Sequence, residues 1–129
     1  MTTITTDEQA VRDVLTQLYV TWTDYDADAF ATFYTADATI VLPGRYHRGD
    51  SAVRDYMAAG FAGPLQGSRV VDDVVDLRIV GGDTAIVVTE GGVVMAGATE
   101  PAVLIRATSV LAKINGEWKI AAYTNAPVG

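Results

Sequence analysis

The chain of 129 residues has no cysteine, a single histidine, and only nine basic side chains against sixteen acidic ones. Each shortage closes a class of chemistry. Without cysteine there is no disulfide, no thiol nucleophile and no thiolate ligand for zinc or an iron–sulfur cluster. With His47 as the sole imidazole, a histidine-based metal site lacks its ligands, and a Ser-His-Asp triad would need that one residue and a GxSxG elbow that is absent. No Gly-rich dinucleotide loop or metal-ligand spacing occurs either, so the sequence predicts no cofactor and no metal.

The net charge of −7 and the scattering of Lys and Arg argue against nucleic acid, whose affinity rests on neutralised phosphates. No window approaches the roughly 20 apolar residues that cross a bilayer. The N-terminal MTTITTDEQAVRD has neither the basic nor the apolar region of a secretory signal. These absences predict a cytoplasmic protein with no nucleic-acid and no membrane partner.

What the chain does have is a hydrophobic half, enough to bury the core of a single domain over residues 1–129, with 1–5 as a flexible tail. Thr6 and Gln9 fit a capping box. Val11, Leu15, Leu18, Trp22 and Tyr25 then recur at alternating steps of four and three, which predicts a helix with one apolar stripe. Asp26 is suited to cap a second helix over Ala27 to Tyr34. A strand from Thr39 to Leu42 stops at Pro43-Gly44, and Arg45 to Arg48 reads as a returning hairpin arm.

A third helix is expected over Ser51 to Ala59, ended by Gly60. The rest is valine-rich and strand-like: Ser68 to Ile79, Thr84 to Val94, Val103 to Ile114 and Glu117 to Asn125. Asn115-Gly116 marks a type I′ hairpin, because both central positions need positive φ. Three helices followed by a long meander predict an α+β architecture, with helices packed on a curved, mainly antiparallel sheet that encloses a pocket.

This order of elements, with Trp22, Asp26-Ala27-Asp28, Asp37-Ala38-Thr39 and the ending Asn115-Gly116-Glu117-Trp118-Lys119-Ile120, resembles the NTF2-like or SnoaL-like superfamily. Trp22 and the ending WKIAAYTN are most similar to its enediyne-biosynthesis subgroup. The resemblance implies a cone with a ligand pocket, a homodimer, and work on an apolar polyene or polyketide-derived molecule in natural-product biosynthesis. The activity implied is a cofactor-independent cyclase, isomerase or dehydratase, or else a non-catalytic carrier or interaction module assisting a synthase.

Ketosteroid isomerases in that superfamily need an Asp base, a Tyr and a protonated Asp, an enzyme that serves as a worked example of pKa tuning. Aligned on the motifs above, those positions fall on Leu42, Leu18 and Val110, with Tyr19 one residue from the second. Aliphatic side chains transfer no protons, so that mechanism is not expected here.

The same register turns Tyr123 and Asn125 inward, where they could polarise a carbonyl or enol oxygen or simply tie down the last strand. It also places Arg106 on the face of Val110 and pairs it with Glu90, either as a structural ion pair or as a poised acid and an anion-binding arginine. His47, in a loop or at an edge, is a solvated histidine or an acid–base group at a pocket mouth. Trp22 and Tyr56 are the aromatic residues expected against a ligand. Asp72, Asp73 and Asp76 read as a solvated strand face.

Overall fold

The computed structural model describes residues 6–128, so the expected tail at 1–5 lies outside the described residues. Helix α1 spans Thr6–Thr23 and buries Val11, Leu15 and Leu18. Gln9 does not reach back to close a capping box; its amide donates one turn forward to Asp13, at 2.9 Å. Tyr25 lies beyond the helix at φ 53, half exposed, so the stripe ends at Trp22.

Asp26 caps α2 as expected, accepting from the Ala29 amide at 3.0 Å. The helix covers only Ala27–Ala31, because Thr32 closes it with a hydroxyl bond to the Ala29 carbonyl. The chain then enters strand β1, Tyr34–Leu42, five residues earlier than the apolar run suggests. Its early entry is fixed by a long-range partner, since the Ile120 amide donates to the Phe33 carbonyl and Tyr34 pairs with Ile120.

Strand β2, Arg45–Arg48, folds back on β1 as a hairpin. Helix α3 runs over Asp50–Ala62 and passes through Gly60 to stop at Gly63. Gly60 serves packing instead: a Cβ there would come within 2.7 Å of the Leu65 side chain that folds over it. Strands β3 (Arg69–Val80), β4 (Thr84–Val94), β5 (Ile105–Ile114) and β6 (Glu117–Pro127) follow among the described residues. Val103 and Leu104 stay in the loop before β5, exposed.

The six strands form one sheet in the order β2-β1-β6-β5-β4-β3. All neighbours are antiparallel except β1 and β6. Asn115 and Gly116 both take positive φ in the predicted hairpin turn. The inner face meets the three helices, and Ile120, Leu111, Val87 and Val11 are almost wholly enclosed between them. Burying each such side chain removes enough apolar surface to contribute about 1.5–3 kcal/mol.

Candidate functional site

Two register irregularities decide which side chains look into the space between helices and sheet. On β6, Trp118 and Ile120 point inward, as strand alternation requires. Ala121 is then skipped in the pairing between Leu111–Ile120 and Val110–Ala122. That bulge reverses the parity, so Tyr123 and Asn125 face the same interior as Ile120. On β3, a bulge at Val75 leaves Val75 exposed and places Val70, Asp72 and Val74 in one row turned towards α1.

The interior is a cavity of about 240 Å³. It lies just below the ~300–1,000 Å³ usual for ligand pockets, so it suits a compact molecule. Its wall is largely apolar, drawn from Leu15, Leu18, Val53, Met57 and Ile105 among others. Leu18 and Leu42 line it, whereas Val110 points to the other side of the sheet and Ser109 lines the cavity in its place. Of the three positions compared with ketosteroid isomerase, the last is therefore one residue out of register.

Asp72 is the one carboxylate on the lining, and no Lys, Arg or His lines it among the described residues. The Tyr19 hydroxyl donates a hydrogen bond to Asp72 Oδ2, and Thr89 adds a second one. Burial pushes the Asp72 carboxyl above its ordinary value of 3.8; the bonds from Tyr19 and Thr89 oppose the rise, and the charge of Asp73 adds to it. Burial, followed by the neighbouring Asp72 charge, likewise holds the Tyr19 phenol in its protonated form.

Tyr123 accepts a 3.0 Å hydrogen bond from Asn125 Nδ2. Its own O–H hydrogen therefore remains to be donated elsewhere. Burial raises the Tyr123 pKa against the opposing bond from Asn125, and Asp72 raises it further, which places the two groups within electrostatic reach. Tyr34, fully enclosed on the same wall, is raised by burial and by Tyr123. The site thus combines one carboxyl group whose pKa burial raises with three phenols that burial keeps neutral.

The solvated reading of Asp72 is corrected by this geometry; only Asp73 and Asp76 are exposed, Asp76 lying 3.6 Å from Arg78. The sequence carried two signals for it. Adjacent strand residues cannot share a face, so Asp72 and Asp73 must separate. Gly91-Gly92 inside a valine-rich strand marks a close backbone approach. Gly91 pairs directly with Asp72, and a Cβ on it would stand 1.9 Å from the Val71 carbonyl oxygen.

Glu90 and Arg106 do pair, at 3.2 Å, but outside the cavity. They oppose each other across β4 and β5 on the face away from Thr89 and Ala107, and the Arg106 side chain is 57% exposed. Strand alternation puts Ala107 and Ser109, not Arg106 and Thr108, inward. Among the other expected ligand contacts, Trp22 and Tyr56 both line the cavity. The Trp22 indole N–H is already donated to Ser68 Oγ at 3.0 Å, and its ring packs edge-on with Phe30 and Phe61.

His47 does not line the cavity but packs against Tyr56, with ring centroids 4.6 Å apart and the ring planes tilted by 41°. Its ladder partner is Ile40, which does line it. No helix among the described residues is long and apolar enough to cross a membrane.

Solved structures share this architecture. A domain of unknown function with a cystatin-like fold from Nostoc punctiforme superposes with a TM-score of 0.89 at 22% identity, covering 98% of this chain and 80% of its own. A protein of unknown function from Mycobacterium tuberculosis gives 0.79 at 22% identity, over 95% of this chain and 72% of its own. A ketosteroid isomerase-like protein from Erwinia carotovora atroseptica gives 0.76 at 17% identity, over 98% and 99%. At these identities the likeness is one of fold. Comparison with curated proteins returns no match. The family model described as the SnoaL-like domain matches residues 11–126, and with that span the chain belongs to the SnoaL-like family.

Proposed function

We propose that this protein takes a compact, apolar carbonyl compound into its cavity and moves a proton on it without a cofactor, as an isomerase, cyclase or dehydratase. The observation that carries the reading is the convergence of the Tyr19–Asp72 and Asn125–Tyr123 pairs on one apolar cavity. Tyr123 donates its free hydroxyl hydrogen to the substrate oxygen, with Asn125 holding the phenol in place. Tyr19 and Thr89 both hold the Asp72 carboxylate, which in this reading meets the substrate carbon from the cavity wall.

The Asp72 carboxylate removes the proton α to the carbonyl, and the C–H electrons pass into the enolate that Tyr123 stabilises. Return of that proton at another carbon gives isomerisation. Loss of a β-hydroxyl, protonated by the Asp72 carboxylic acid and leaving as water, gives dehydration. In this reading Asp72 takes the proton-transfer role that the sequence offered to Glu90 or His47, and Trp22 and Tyr56 pack the ligand. A polyketide-type molecule, in the enediyne setting that the resemblance implies, fits the apolar wall, and the homodimer is retained as the working assembly.

Leu18 and Leu42 on the lining favour a second reading, a carrier that shields its ligand without transforming it. Exchange of the α-hydrogens of β-tetralone in deuterium oxide separates the two. Acceleration over buffer, reduced about 100-fold in Asp72→Asn, supports proton transfer. Binding without acceleration supports the carrier, and absence of binding overturns both.

A further inference from the structure

The cavity spans a sheet whose two edges carry opposite charge. Asp72 stands on the edge strand β3, while the other edge strand, β2, has the sequence Arg45-Tyr46-His47-Arg48. Leu42 pairs with Arg45 and Ile40 with His47. Both partners on β1 line the cavity, so Arg45 and His47 are on its side of the sheet. Cross-strand neighbours project to the same face.

Both groups meet the ring of Tyr56, which lines the cavity from α3. The Arg45 guanidinium carbon is 5.7 Å from its centroid, and the His47 ring packs against it at a tilt. None of the ion pairs among the described residues involves Arg45. The His47 Nε2 atom is buried without a hydrogen-bond partner among those residues. A cation without a carboxylate and an imidazole nitrogen without a partner thus flank one cavity tyrosine, in a chain of net charge −7.

We infer that β2 and Tyr56 form the anion-binding end of the site, and that the ligand is a keto acid whose carboxylate is seated between Arg45 and His47. This rests on the proposed carbonyl chemistry at Asp72 and supplies its orientation. The carbonyl end meets Tyr123 at the inner wall, and the carboxylate stays at the β2 edge, away from the Asp72 charge. The planar guanidinium matches a carboxylate in a two-point contact. One guanidinium balances a monoanion, whereas a phosphate dianion would add charge to an already acidic protein.

The test compares γ-benzoylbutyrate with its methyl ester, two ligands of one skeleton that differ in charge, by titration against Trp22 fluorescence. The full chain is expected to bind the acid about fivefold more tightly than the ester at low salt, despite its own negative charge. Arg45→Gln is expected to abolish that preference while ester affinity holds. His47→Phe, which keeps an aromatic ring against Tyr56, should reduce it. Ester binding with no preference for the acid, or a preference that survives Arg45→Gln, overturns the anion-binding end and leaves the carbonyl site standing. Failure of both ligands to bind overturns the two together.

Discussion

Asp72 is held between neighbours that pull its protonation in opposite directions. Burial favours the neutral acid, while the donors Tyr19 and Thr89 favour the carboxylate, and the balance leaves its pKa raised. A carboxyl with a raised folded pKa binds protons more readily in the native state than in the unfolded one. Its effect on stability is therefore most favourable at low pH and declines as pH rises from the unfolded value of 3.8 through the folded one. Asp72→Asn is expected to remove that decline, so that the variant gains stability relative to the parent as pH rises to neutrality in urea unfolding. Asp7 behaves oppositely: the hydrogen bond from Lys113 lowers its pKa first, opposed by burial and joined by the bond from Trp118. Its contribution is present above the unfolded value and is lost as pH falls through the lowered one, a loss that Lys113→Met should reduce.

At the level of elements, the helices and hairpins were legible where local rules decide them. The Asp26 cap, the Asn115-Gly116 turn and the limits of β4 follow from residues adjacent in sequence. The early start of β1 was not legible, since Ile120, far along the chain, sets it. The bulges at Val75 and Ala121 were hidden for the same reason: each is defined by a mismatch between two strands. Tyr123 and Asn125 were placed inward, yet Asp72 was left outside and Arg106 was turned in. Gly91 is the element-scale residue with the sharpest consequence. Gly91→Ala forces a methyl group into the Val71 carbonyl, and a loss of at least ~2 kcal/mol is expected in chemical denaturation, with weaker ligand binding in whatever remains folded. Gly116→Ala, whose added methyl meets nothing within 4 Å, is the control for positive φ alone; it should cost about 1 kcal/mol.

Across the whole molecule, the helices and the loop after α3 act as one cover over the sheet. Trp22 stacks edge-on against Phe61 at 5.5 Å and bonds to Ser68, while the Tyr25 hydroxyl donates to the Ser68 carbonyl. Leu65, carried on that loop, lines the cavity. Ser68→Ala leaves the part-buried indole N–H without its acceptor and should cost about 1 kcal/mol, read as a lower thermal midpoint. A ligand that binds the native cavity stabilises it by about 2.7 kcal/mol at a hundred times its dissociation constant, so β-tetralone should raise the same midpoint. The account as a whole depends on Asp72 being the carboxylate that meets the ligand. The direct measurement is the pH titration of the Asp72 carboxyl carbon resonance, with and without saturating β-tetralone. The structure predicts a midpoint above 3.8 that rises further in Tyr19→Phe and shifts when the ligand binds. A midpoint at the ordinary value, unmoved by ligand and by Tyr19→Phe, would place Asp72 in solvent and contradict the account.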